Sequence, residues 1–240
     1  MERLKGSDLK IVTPNEQKAL LATWNMMTGI VGFSTKPKLV LGKENIPEKA
    51  PYIVASNHRG IVEPAMLLHT FDKWIYFMVK HKTFDMPIVG KFINSAGMFP
   101  VHRGEPDRAA LEKAVNYLKS GQVVGIMPEG TRGRGDLTDF NAFKKGTAVI
   151  ATRAGKVPIV PVGMTGPEDI LALIEKQSLS KTWQEILSLR TGKTKPIMNL
   201  SIGKPITDYP EEKEVLTDMI FQGISEQVNK LENYCPPNLN

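Results

Sequence analysis

Seven short apolar runs rich in β-branched residues recur along this chain, at residues 38–41, 52–55, 74–79, 98–101, 123–127, 157–162 and 197–202. Helical patterns lie between most of them. Residues 106–118 put Ala110, Leu111, Ala114, Val115 and Leu118 on one side, with Gly121 as a stop, and residues 141–154 and 215–231 read the same way. Strands that alternate with helices predict an α/β fold with a largely parallel central sheet flanked by helices. In such sheets functional groups gather at the carboxyl ends of the strands. The expected division is an N-terminal amphipathic helical segment over 1–37 and one α/β domain over 38–240.

The N-terminal segment begins with Glu2, Arg3, Lys5, Asp8 and Lys10, which does not read as a signal peptide. Pro14 and Glu16 mark a helix start, and Leu20, Trp24, Met27 and Val31 recur at helical spacing. The uncharged stretch from Ala19 to Thr35 contains Thr23, Asn25, Gly29 and Gly32, too polar for a membrane span. Its apolar face has two readings, a membrane-interfacial helix or a helix packed on the domain. A formal net charge of +6 and a pI near 9.3 point to anionic partners such as phosphate esters or lipid headgroups. Cys235 is the only cysteine, so an intrachain disulfide and a cysteine-rich metal site are excluded. No cofactor and no metal are expected.

Polar clusters follow three of the apolar runs. "IVASNHRGIVEP" delivers Asn57 and His58 after the second run and supplies Glu63 five positions later. Positions five apart on a regular helix differ by about 140°, so the two side chains meet only if His58 sits in the turn and Glu63 opens the next helix. A carboxylate on one ring nitrogen would leave the other free to act as a base. His102 and Arg103 follow the fourth run, and residues 128–134 follow the fifth.

The order of these blocks resembles the glycerolipid acyltransferases, the PlsC-like 1-acylglycerol-3-phosphate acyltransferase family. "NHRGIVE" is similar to the first motif of that family, "GMFPVHRG" to the second, "MPEGTRGR" to the third and "VPIVPVG" to the fourth. The family's first motif usually ends in aspartate, and here Glu63 stands in that place.

The resemblance implies transfer of a fatty acyl group from a thioester, acyl carrier protein or acyl-CoA, to the sn-2 hydroxyl of lysophosphatidic acid, giving phosphatidic acid. His58 would be the general base and Glu63 its orienting carboxylate. Arg103 and Arg132 would hold the phosphate, helped by the backbone of Gly130 and Thr131, while Asn57, Glu129 and Lys145 complete the expected substrate-binding set. The chain offers no Gly-x-Ser-x-Gly elbow, which is consistent with direct displacement without a covalent intermediate. The competing readings are another lysolipid or glycerol-3-phosphate as acceptor, or a non-catalytic protein that binds anionic lipid. The resemblance also implies a peripheral or monotopic place at the cytoplasmic face of the cell membrane. "RTGKTK" lacks the first glycine of a P-loop, and "RGRGD" lacks the interleaved aromatics of a nucleic-acid surface, so neither nucleotide nor nucleic acid is an expected partner.

Overall fold

All seven apolar runs become strands of one sheet. The structure, a computed structural model, describes residues 9–30, 35–60, 62–102, 107–130, 143–166 and 197–234. The strands are β1 (Leu39–Leu41), β2 (Tyr52–Ser56), β3 (Ile75–Lys80), β4 (Phe99–Val101), β5 (Val123–Ile126), β6 (Ile159–Thr165) and β7 (Asn199–Ile202). Their order is β1-β7-β6-β2-β5-β3-β4, and the pairing is parallel everywhere except between β6 and β7. The helices are α1 (Pro14–Ile30), α2 (Glu63–Thr70), α3 (Val89–Ser95), α4 (Arg108–Lys119), α5 (Gly146–Arg153) and α6 (Lys213–Glu232). The expected α/β class and largely parallel sheet are therefore observed.

From β2 the chain moves outward through β3 to β4. It then returns to insert β5 between β3 and β2, and crosses to β6 on the far side of β2. The winding changes sides at β2, where open α/β sheets form their crevice. Tyr52, Ile53, Val54 and Ala55 are all fully buried, as a strand covered on both faces requires.

Local sequence explains the helix starts. The Thr13 backbone N–H donates to Glu16 Oε2 at 2.8 Å while the Glu16 N–H reaches Thr13 Oγ1, a reciprocal cap with Pro14 as first helical residue. Asp107 caps α4 by accepting the Ala110 N–H at 3.0 Å. Leu20, Leu21 and Trp24 of α1 pack against the core, and the Trp24 ring lies 5.7 Å from that of Phe92 on α3. The expected helix over 141–154 begins at Gly146 among the described residues.

Gly163 on β6 lets α6 approach the sheet. A Cβ there would sit 2.4 Å from the backbone nitrogen of Val228. The close crossing brings the last turn of α6 to the carboxyl end of β2.

Candidate active site

The ladder between β2 and β5 pairs Ile53 with Val124 and Ala55 with Ile126, a constant offset of 71 positions. Continued past the strand ends, that register sets His58 beside Glu129. The His58 backbone N–H donates to Glu129 Oε1 at 2.8 Å. On the other side of β2, Asn57 extends the pairing with β6 through its side chain. Its Nδ2 donates to the Met164 carbonyl at 2.9 Å, and its Oδ1 accepts the Met164 N–H at 2.8 Å. Asn57 was expected to touch substrate. Both its amide atoms instead join β2 to β6, and only 1% of the residue is exposed.

Glu63 is the first residue of α2, followed by Pro64, and is completely buried. Its Oε1 accepts the backbone N–H groups of Arg59, at 2.6 Å, and of Gly60. The same oxygen stands 3.5 Å from His58 Nδ1. Thus one carboxylate oxygen holds the turn after β2 and faces the imidazole that the turn carries. The separation is long for a formed hydrogen bond, so in the resting site the coupling is chiefly charge against imidazole. The sequence pattern of a turn histidine facing a helix-opening glutamate is the geometry observed.

The two buried acids differ in electrostatics. Burial alone would raise Glu63, but the His58 imidazole and the Gly60 N–H outweigh it and hold the carboxyl below its ordinary value. The amino end of α2 favours the same charged form. Burial dominates at Glu129 and pushes it up, with Glu63 adding to the rise and His58 and Arg59 opposing it.

Gly130 has φ of 66° and donates its N–H to the Met127 carbonyl at 3.0 Å, closing the turn after β5. A side chain at that left-handed position would be strained, and a Cβ would lie 3.2 Å from Lys144. Lys145, expected near substrate, ion-pairs with Glu214 on the first turn of α6, and both side chains are exposed. Arg103, Thr131 and Arg132 lie outside the described residues, as do Cys235 and the "RGRGD" and "RTGKTK" segments.

Arg59 had no expected role. It is 9% exposed, and its Nη2 contacts Glu232 Oε1 on the last turn of α6 at 3.3 Å. A buried cation thus sits directly after His58. Only the tertiary approach of α6 reveals it. His81 is exposed and stacks on His102 with ring centres 4.4 Å apart; His102 Nδ1 lies 3.0 Å from Asp107 Oδ2. Among the described residues no group of three or more histidine, cysteine or acidic side chains could hold a metal ion.

The chain matches the family model described as "Acyltransferase" over residues 39–165. It is 30% identical over 201 residues to the 1-acyl-sn-glycerol-3-phosphate acyltransferase of Bacillus subtilis, covering 80% of this chain and 89% of that protein. The enzyme of the same name from Borreliella burgdorferi is 35% identical over 126 residues, covering 52% of this chain and 49% of its own length. Among solved structures, the 1-acyl-sn-glycerophosphate acyltransferase PlsC of Thermotoga maritima superposes with a TM-score of 0.62 at 23% identity, covering 91% of this chain and 81% of that one, a likeness of fold. The chain belongs to the acyltransferase family.

Proposed function

We propose that the protein transfers a fatty acyl group from an acyl thioester to the sn-2 hydroxyl of 1-acylglycerol-3-phosphate, giving phosphatidic acid. The observation that carries this reading is the His58–Glu63 contact at the carboxyl end of the central strand, in a chain whose relatives bear that activity's name. Nδ1 of His58 faces Glu63, which leaves Nε2 to take the proton of the acceptor hydroxyl. The hydroxyl oxygen attacks the thioester carbonyl, the new ester C–O bond forms and the C–S bond breaks. The proton passes from His58 to the leaving thiolate. Glu63, kept ionised, stabilises the imidazolium during the step.

Glu129 acts by fixing the His58 backbone rather than by touching the acceptor phosphate, because a buried carboxylate would repel it. Arg132 and Arg103 are the phosphate ligands in this reading, with the backbone of Gly130 and Thr131. The donor is acyl carrier protein or acyl-CoA. The enzyme works at the cytoplasmic face of the cell membrane, held peripherally or monotopically. In support, no helix among the described residues is long and apolar enough to cross a membrane, and the acceptor and product are lipids.

The test is mass spectrometry of the products formed from a mixed panel of lysolipids and acyl donors, with wild type and His58→Ala at matched amounts. Phosphatidic acid from wild type alone is the expected result. Equal turnover by both proteins would refute the base, and product only from acceptors without a phosphomonoester would refute the substrate.

A further inference from the structure

We infer that the segment joining β3 to β4, through Met86, Pro87 and Ile88, is the surface that enters an anionic lipid bilayer. This rests on the lipid acceptor proposed above.

Three apolar side chains of α1 are engaged with the core, and Met26 is its one large apolar side chain exposed among the described residues. Leu20, Leu21 and Trp24 of α1 lie against the core, with Trp24 on Phe92 and its indole N–H donated to Thr35 Oγ1 at 2.9 Å. Of the large apolar side chains exposed among the described residues, Met86 and Ile88 are the two that stand within three consecutive positions. Pro87 between them is exposed as well, and Ile88, at 72%, is the most exposed of all. Single exposed apolar residues are ordinary, but an uninterrupted Met-Pro-Ile tip is not accounted for by packing.

The segment is two-sided. Phe92 meets Trp24 and Ile93 packs on the core, whereas Ile88, Lys91 and Ser95, at helical spacing, are exposed. Within residues 80–91, Lys80, Lys82 and Lys91 are exposed and Asp85 is the acid, three lysines against one carboxylate. Apolar side chains ringed by lysine suit the boundary of a bilayer with acidic headgroups, where the former enter the acyl layer and the latter meet phosphate.

Position supports the same occupant. The segment leaves the carboxyl end of β3, and β5 alone separates β3 from β2. Two strand spacings are about 10 Å. Since β2 and β3 both run parallel to β5, the segment and His58 leave the same edge of the sheet, the side on which a membrane-held lysolipid would meet His58.

The experiment uses the full chain and flotation with vesicles of equal parts phosphatidylglycerol and phosphatidylcholine, against vesicles of phosphatidylcholine alone. It compares wild type with the double variant Met86→Ser/Ile88→Ser and with Lys82→Glu/Lys91→Glu. All four positions are exposed, so the fold should persist, and thermal melting checks it. Turnover of a water-soluble, short-chain acylglycerol phosphate is measured without vesicles. Both variants should partition at least tenfold less onto the anionic vesicles than wild type and keep short-chain turnover within twofold. Flotation of the Met86/Ile88 variant equal to wild type overturns the inference. So does wild type that ignores both vesicles, or light scattering in which the variant loses a dimer while its flotation is unchanged, which assigns the surface to a second copy. Absence of wild-type turnover with every acceptor refutes the proposed reaction instead, and the flotation result then stands alone.

Discussion

Shortening Glu63 by one methylene tests whether its carboxylate is matched to His58. The aspartate carboxylate would retract by about 1.5 Å, opening the 3.5 Å contact with His58 Nδ1 to about 5 Å. With an effective dielectric constant of about 20, attraction between imidazolium and carboxylate falls from about 4.7 to about 3.3 kcal/mol. The loss of about 1.4 kcal/mol falls on the transition state, where the imidazolium exists, and predicts roughly a tenfold drop in kcat for Glu63→Asp. Glu63→Gln removes the charge outright and should cost up to about a thousandfold. KM for the acceptor should change little, since Glu63 is buried and contacts the turn and the imidazole. The assay follows thiol release from the acyl donor with a saturating acceptor, with melting curves confirming that each variant folds. Activity of Glu63→Asp at or above wild type would refute the geometric reasoning. Activity of Glu63→Gln within threefold of wild type would refute the electrostatic role altogether.

The Asn57→Ala variant deletes both hydrogen bonds between the β2 end and Met164, which should destabilise the protein by about 2–4 kcal/mol in urea melts. Glu129→Gln keeps an oxygen acceptor for the His58 N–H and removes a charge that burial disfavours. Because the folded carboxyl is raised above its ordinary 4.5, its favourable contribution is present below that value and lost as pH rises through the folded one. The variant should therefore melt above wild type near neutral pH, with the gain vanishing on acidification below the ordinary glutamate range.

The sheet was legible because central strands buried on both faces, such as β2 and β5, must be nearly continuous apolar runs, while the less buried β1, β3, β4 and β7 were marked by β-branched and aromatic residues. Strand order was not legible. Nothing local tells β5 to lie between β2 and β3, 71 positions from its β2 partners. Helix α3 escaped notice because seven residues give too few periods for an apolar face to declare itself. The meeting of His58 and Glu63 could be read because a turn and a helix start lie within one stretch of chain. The partners of Lys145 and Arg59 could not, since Glu214 and Glu232 arrive on α6 from the far end of the sequence. A lysine in a motif block carries no mark to distinguish a phosphate ligand from one arm of an exposed ion pair.

Two buried carboxylates against one histidine divide their tasks by the number of donors each receives. Glu63 accepts two backbone N–H groups, lies at the amino end of α2 and faces the ring, so its charged form is favoured despite complete burial. Among the described residues Glu129 accepts one N–H, that of His58, and burial prevails. Environments that push paired acids in opposite directions mark different roles. In the proposed reaction Glu63 supplies the charge that the imidazolium needs, while Glu129 ties the histidine backbone to the neighbouring strand. The phosphate cannot sit close to Glu129 without paying for like-charge repulsion. In the proposed reaction the acceptor phosphate therefore binds away from Glu129, with its hydroxyl toward His58.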